Sequence, residues 1–155
     1  MVGINARLAW KNIDFAANFY GTIGNDVYNT TKGRYSGVSG ENVYAGTYNA
    51  SWHGEGTSYD LPRLSYNDAN QNWTRVSSFY VEDGSYLRCK QLQIGYTLPK
   101  KWTKKISLRL SFSAQNPFTI TGYSGMDPEA AALGTEGKVT ESGIDWEGYP
   151  NPRTY

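Results

Sequence analysis

The chain has 155 residues, the size of one ordinary domain. Fifteen Lys and Arg against fourteen Asp and Glu leave it near neutrality, without the basic surplus a nucleic-acid binder needs to displace counterions from phosphates. A single cysteine, Cys89, and a single histidine, His53, exclude an internal disulfide and a Cys-rich metal site and argue against a zinc centre or a catalytic triad.

Residues Met1–Arg7 turn polar at once and carry no signal-peptide pattern. No run of about 18 apolar residues follows, so no transmembrane helix is expected; a membrane β-strand needs only about 9–11 residues and leaves a weaker, alternating signal. Such alternation begins immediately. Ile4, Ala6, Leu8 and Trp10 share one face, and after Lys11-Asn12 the residues Ile13, Phe15, Ala17 and Phe19 form a second apolar face. Two alternating runs around a Lys-Asn pair predict a tight β-hairpin.

Residues 24–78 are rich in Gly, Asn, Ser, Thr and Tyr. Short strands are predicted at Asp26–Asn29 and Asn42–Asn49, and the remainder reads as a long loop, a kind of segment that is usually functional or disordered. A long strand follows from Tyr86 to Leu98. Its apolar residues sit on odd positions at Leu87 and Cys89, then on even positions at Leu92, Ile94, Tyr96 and Leu98. One extra residue near Lys90-Gln91, a β-bulge, accounts for the change of side; two short strands with a break are the alternative. Residues 99–105 read as a short polar turn. Ile106, Leu108, Leu110, Phe112 and Ala114 then alternate with Ser107, Arg109, Ser111, Ser113 and Gln115 in the clearest strand of the chain. Extended over about 34 Å and tilted by about 45°, it matches the height of an outer-membrane barrel's apolar band. One short helix is expected at residues 127–134, with Asp127 as cap, Pro128 in its first turn and Gly134 at its end.

The apolar faces could form the core of a soluble sandwich or meet lipid. Strand length, the alternation of tight turns with very long loops, and Trp10 and Trp102 beside the short turns all favour a membrane barrel. The segments "WKNIDFAANFYGTIGNDVYN", "FYVEDGSYLRCKQLQIGYTLPKKW", "LRLSFSAQNPFTITGYSGMDPE" and "GIDWEGYPNPRTY", in this order, resemble the C-terminal region of SusC/RagA-type TonB-dependent outer-membrane transporters. The resemblance covers nearly the whole chain.

It implies an all-β fold: antiparallel strands forming part of a large transmembrane β-barrel of about 22 strands, with a plugged lumen, long external loops and one short helix. About 22 strands need roughly 220 residues, so residues 1–155 are expected to be a C-terminal barrel fragment of about five or six strands, lacking the final strand, the plug and the signal peptide. The family further implies import of oligosaccharides or peptides across the bacterial outer membrane, energised through TonB, with a SusD-like surface lipoprotein as lid. No cofactor and no enzymatic activity are expected. An isolated arc leaves unpaired edges, so the chain alone is expected to be transport-incompetent.

Candidate ligand contacts are the loop aromatics Trp52, Tyr59, Tyr66 and Trp73, whose faces could stack on sugar rings; packing of the loop is the competing role. Glu82-Asp83, Asp127/Glu129 and Asp145/Glu147 read as turn and cap residues, and the lysines at 100, 101, 104 and 105 as a solvated turn. A soluble all-β carbohydrate-binding module is the second functional reading.

Overall fold

The computed structural model describes residues 1–37, 42–58, 60–104, 106–129 and 142–155. In chain order the strands are β1 (Val2–Trp10), β2 (Ile13–Thr22), β3 (Asp26–Asn29), β4 (Val81–Asp83), β5 (Tyr86–Thr97), β6 (Arg109–Gln115), β7 (Thr119–Thr121) and β8 (Ile144–Asp145). The α-helices are short: α1 (Thr30–Ser36), α2 (Ala45–Ala50) and α3 (Lys100–Thr103). These elements fall into two units, one of Met1–Asn25, Asp83–Tyr123 and Pro150–Tyr155, the other of Asp26–Glu82 and Ser124–Tyr149.

The first unit is a sheet in the order β1-β2-β5-β6, with β7 also on β5, and its pairings are antiparallel. β1 and β2 pair along their whole length, from Val2 opposite Gly21 to Trp10 opposite Ile13. The connection is the expected Lys11-Asn12 pair, with Lys11 in the left-handed region at φ 53°. Between β2 and β5 the register steps by one: Asn18 faces Gln91, but Phe19 faces Cys89. Lys90 is the extra residue. The change of parity in the sequence is therefore a bulge and not a break.

β6 and β7 are two halves of one neighbour to β5. Gln115 faces Gln91 and Thr119 faces Arg88. Between them Asn116 takes φ 50°, its N–H donates to Lys90 O at 3.1 Å, and Cys89 N–H donates to Phe118 O at 3.1 Å. The irregularity at Asn116-Pro117-Phe118 thus meets the bulge on the strand beside it. β6 starts at Arg109 rather than at Ile106, although Leu98 N–H still reaches Leu108 O at 2.9 Å. On the other edge of β6, Gln115 and Thr154 form an antiparallel bridge.

Because side chains alternate, the registers sort whole rows onto one face. Leu8, Phe15, Ile94 and Phe112 lie in one row across four strands, and Trp10, Ile13, Tyr96 and Leu110 in the next. This face is open: Leu8 is 68% exposed, Leu110 60% and Phe112 53%. The opposite face carries the row Asn5, Asn18, Gln91 and Gln115, with Asn18 Nδ2 donating to Gln91 Oε1 at 3.3 Å. Near the Lys11-Asn12 turn, Arg109 Nη2 meets Asp14 Oδ2 at 2.5 Å across β5. Gly95 makes this reach possible, since a Cβ there would lie 2.5 and 2.6 Å from the Asp14 carboxylate oxygens.

The second unit is built around the small sheet β4-β3-β8, in which β3 and β8 run parallel. The Asn29 side chain caps α1 by accepting from Lys32 N–H at 2.9 Å. The strand expected at Asp26–Asn29 is present as β3. The strand expected at Asn42–Asn49 is not: Ala45–Ala50 form α2, closed by Ser51 Oγ donating to Thr47 O at 2.5 Å. Val43 and Ala45 supply too little alternation to hold an isolated strand, and alanine at Ala45 and Ala50 favours helix. The polar turn after β5 likewise contains a helical turn, α3, ended by Lys104 at φ 51°. One short helix is therefore an undercount. Of the helix expected at residues 127–134, Pro128 and Glu129 are helical and Asp127 accepts from Glu129 N–H at 2.9 Å; residues 130–134 lie outside the described residues.

Candidate functional site

In the second unit α1 aims Lys32 at the start of β4. Its Nζ lies 3.2 Å from Glu82 Oε1, donates to Phe79 O at 2.9 Å, and sits 4.2 Å from the centre of the Phe79 ring. The other Glu82 oxygen accepts from Ser124 N–H at 3.1 Å and from Ser124 Oγ at 2.7 Å. Ser124 Oγ in turn accepts from Asn29 Nδ2 at 3.1 Å. Burial opposes ionisation of Glu82, but the Ser124 and Lys32 hydrogen bonds outweigh it and hold its carboxyl below the usual carboxylate value. This network lines one side of a cavity of about 500 Å³, whose other walls include Tyr44, Thr47 and Leu61. The cavity offers a fixed pair of opposite charges beside aromatic and aliphatic surface, a combination that suits a polar ligand with apolar faces.

A second cavity of about 470 Å³ is mostly apolar, lined among others by Tyr28, Trp73, Val76, Tyr80, Ile144 and Trp146. Tyr80 is buried and donates its hydroxyl to Trp73 O at 2.9 Å; burial, then the charges of Tyr28 and Asp68, push its phenol upward. The Asp68 carboxylate accepts from the N–H groups of Asn72, Trp73 and Thr74 at 2.9, 3.0 and 3.2 Å, which fixes the turn that delivers Trp73.

The four aromatics singled out in the sequence occupy different settings. Trp73 is 7% exposed, packed on Gly37 and edge-on to Phe79. Tyr66 is 77% exposed and Trp52 is 36% exposed. Trp52 N–H donates to Leu61 O at 3.0 Å, and beside it Tyr48 and His53 stack at 4.4 Å. Tyr59 lies outside the described residues. No ring contact joins Trp52, Tyr66 and Trp73 to one another. The acidic pairs do structural work: Asp127 caps a helix, Asp145 accepts from Gly148 N–H at 3.2 Å, and Glu147 pairs with Arg34 at 3.1 Å. Sequence reasoning missed Asn29, Lys32 and Ser124 as partners of Glu82. They come from three separate stretches of chain, and no spacing pattern links them.

The two-faced sheet narrows the possibilities further. A soluble monomer rarely leaves so continuous an apolar surface open. No family model matches the chain. A TonB-dependent receptor of Formosa agariphila is 36% identical over 159 residues, covering 99% of this chain and 15% of that protein. The TonB-dependent receptor SusC of Bacteroides thetaiotaomicron is 24% identical over 159 residues, covering 100% of this chain and 14% of SusC. The chain is a homologue of SusC-type TonB-dependent receptors. It spans about one seventh of the length of the curated relatives it matches.

The fold agrees. The RagAB peptide importer in its closed-closed state matches with a TM-score of 0.71 at 22% identity, over 94% of this chain and 15% of that one. Its open-open state matches with a TM-score of 0.72 at 23% identity, over 97% and 16%. The sheet β1-β2-β5-β6 is thus an arc of a TonB-dependent barrel, in a chain of the bacterial outer membrane. Its apolar rows lie on one face and its Asn and Gln row on the other, the alternation that a barrel strand carries.

Proposed function

We propose that residues 1–155 are a C-terminal stretch of the barrel and external loops of an outer-membrane nutrient importer. It takes up oligosaccharides or peptides, is energised through TonB, and works with a SusD-like surface lipoprotein seated over the loops. The observation that carries this reading is the four-strand sheet with one open apolar face and one amide-rich face. A soluble carbohydrate-binding module would need that apolar face in its own core. Peptide import by RagAB supports the peptide alternative, and kinship with SusC supports membership of the same transporter group. The arc by itself does not transport, because lipid cannot satisfy the backbone groups along its edges.

Within the loops, Trp52 and Tyr66 are the accessible stacking surfaces and Tyr59 is a further candidate, whereas Trp73 is buried against Gly37 and Phe79 and serves the packing of the unit. The test uses the full-length receptor in its own host. Deleting its gene should abolish growth on one class of oligosaccharide or peptide supplied as sole nutrient, and the receptor should restore it. W52A and Y66A should weaken uptake of that nutrient while leaving receptor levels unchanged, whereas W73A should lower receptor levels. Unimpaired growth of the deletion strain on every glycan and peptide that the host uses would overturn the importer reading.

A further inference from the structure

The near-zero net charge of the chain conceals a partition. The first unit carries ten Lys and Arg against two acids, Asp14 and Asp83; the second carries five against twelve. No Asp or Glu occurs anywhere in residues 84–126. The basic surplus is concentrated at one end of the sheet. The two short connections lie side by side there, since Thr97 N–H donates to Asn12 O at 2.8 Å. Lys11 in the first connection is exposed and sits 4.7 Å over the Trp10 ring. Lys100, Lys101 and Lys104 in the second are exposed, as is Trp102 at 73%. Asp14, the one acid at this end, is taken by Arg109. Asp83 lies beyond the opposite end of β5, where its carboxylate accepts from Ser85 N–H at 2.9 Å.

Directly beside this basic rim the apolar rows begin, with Ile13, Tyr96, Leu108 and Leu110 all exposed. A band of ammonium groups interleaved with tryptophan, bordering lipid-facing aliphatics, matches the order of chemical layers in a phospholipid leaflet. Acyl chains come first, then glycerol esters at indole depth, then phosphates. We propose that Lys11, Lys100, Lys101 and Lys104, with Trp10 and Trp102, form a binding site for anionic phospholipid headgroups. The leaflet is the one at the short-turn end, which in outer-membrane barrels faces the periplasm. The lysines donate to the phosphodiester oxygens, and their stems and the indoles cover the first acyl carbons. A zwitterionic headgroup carries its own cation and gains less from the rim, so the site selects net negative lipid. This inference rests on the barrel reading above.

The test uses the full-length receptor in nanodiscs of mixed phosphatidylcholine and phosphatidylglycerol, with retained lipids counted by native mass spectrometry. The wild type should retain phosphatidylglycerol in excess of its bulk share, and salt should erode the excess. The variants K100Q, K101Q and K104Q should lower it by about fivefold for each lysine removed, while R63Q and R75Q in the second unit should leave it unchanged. Soluble glycerophosphate should not displace the lipid; equal displacement would mean that the rim binds phosphate rather than membrane, and overturns the assignment. A receptor that inserts, resists heat in gels as a barrel, and shows the bulk lipid ratio in wild type and triple variant alike overturns this inference and leaves the barrel reading standing. A receptor that never inserts overturns both.

Discussion

Replacing Leu92 by arginine would put a charge on the apolar face of β5, while the same change at the next residue, Gln93, would put it on the polar face. Leu92 lies four residues along β5 from Tyr96, which sits in the row at the short-turn rim. At about 3.4 Å per residue and a tilt of about 45°, Leu92 is about 10 Å inside a band of about 25 Å, close to its middle. An arginine there should cost about 2–4 kcal/mol. Q93R adds a charge among Ala16, Ser113 and water-facing amides and should cost within about 0.5 kcal/mol. F112R, only one row in from the rim, should fall between them. The assay is reversible folding of the full-length receptor into bilayers across a urea series, read by the mobility difference between folded and unfolded barrels. If Q93R cost as much as L92R, the assignment of faces would be refuted; if F112R cost more than L92R, the depth assigned to Leu92 would be.

Three further substitutions probe other contacts. At Gly21 a Cβ would collide with the Tyr86 carbonyl oxygen, a backbone atom, whereas at Gly95 it would meet only the ends of the Asp14 and Arg109 side chains; G21A should therefore destabilise the barrel more than G95A in the same urea assay. Y80F removes a buried donor and leaves Trp73 O unsatisfied, so it should cost the loop unit about 1–3 kcal/mol, measured as faster hydrogen exchange around residues 73–80. Glu82 has its folded pKa lowered below the ordinary 4.5, so its contribution to stability is complete above that value and fades as the pH falls through the lowered one. Tryptophan fluorescence melts of the loops at pH 6 and pH 3 should show a smaller acid loss in E82Q than in the wild type; an equal loss would remove Glu82 from the account.

The barrel arc was legible because a strand's side chains repeat every two residues and lipid demands one sustained apolar face. Ile4 to Trp10 and Ile13 to Phe19 announce that repeat, and even the bulge at Lys90 shows itself as a switch of parity between Cys89 and Leu92. The helices α2 and α3 were illegible for the converse reason. At six and four residues they are too short for a 3.6-residue period to register. The Glu82 network was equally hidden. Its members Asn29, Lys32 and Ser124 are joined only by the packing of the second unit, and a glutamate before Asp83-Gly84 reads by itself as part of a turn.

Charge was misleading rather than silent. A total of fifteen basic and fourteen acidic residues suggests a chain without electrostatic character. The total averages over two units that interleave along the sequence, the first assembled from three separate stretches. The proposed headgroup site would account for the basic sheet unit, since an acid on that rim would repel phosphates, whereas lysine can extend its ammonium into the headgroups. The second unit is acidic, and one of its carboxylates, Glu82, is held ionised by Lys32 and Ser124. One near-neutral chain thus carries two units of opposite sign. Only the fold reveals which residues belong to which, because each unit is assembled from stretches far apart in the sequence.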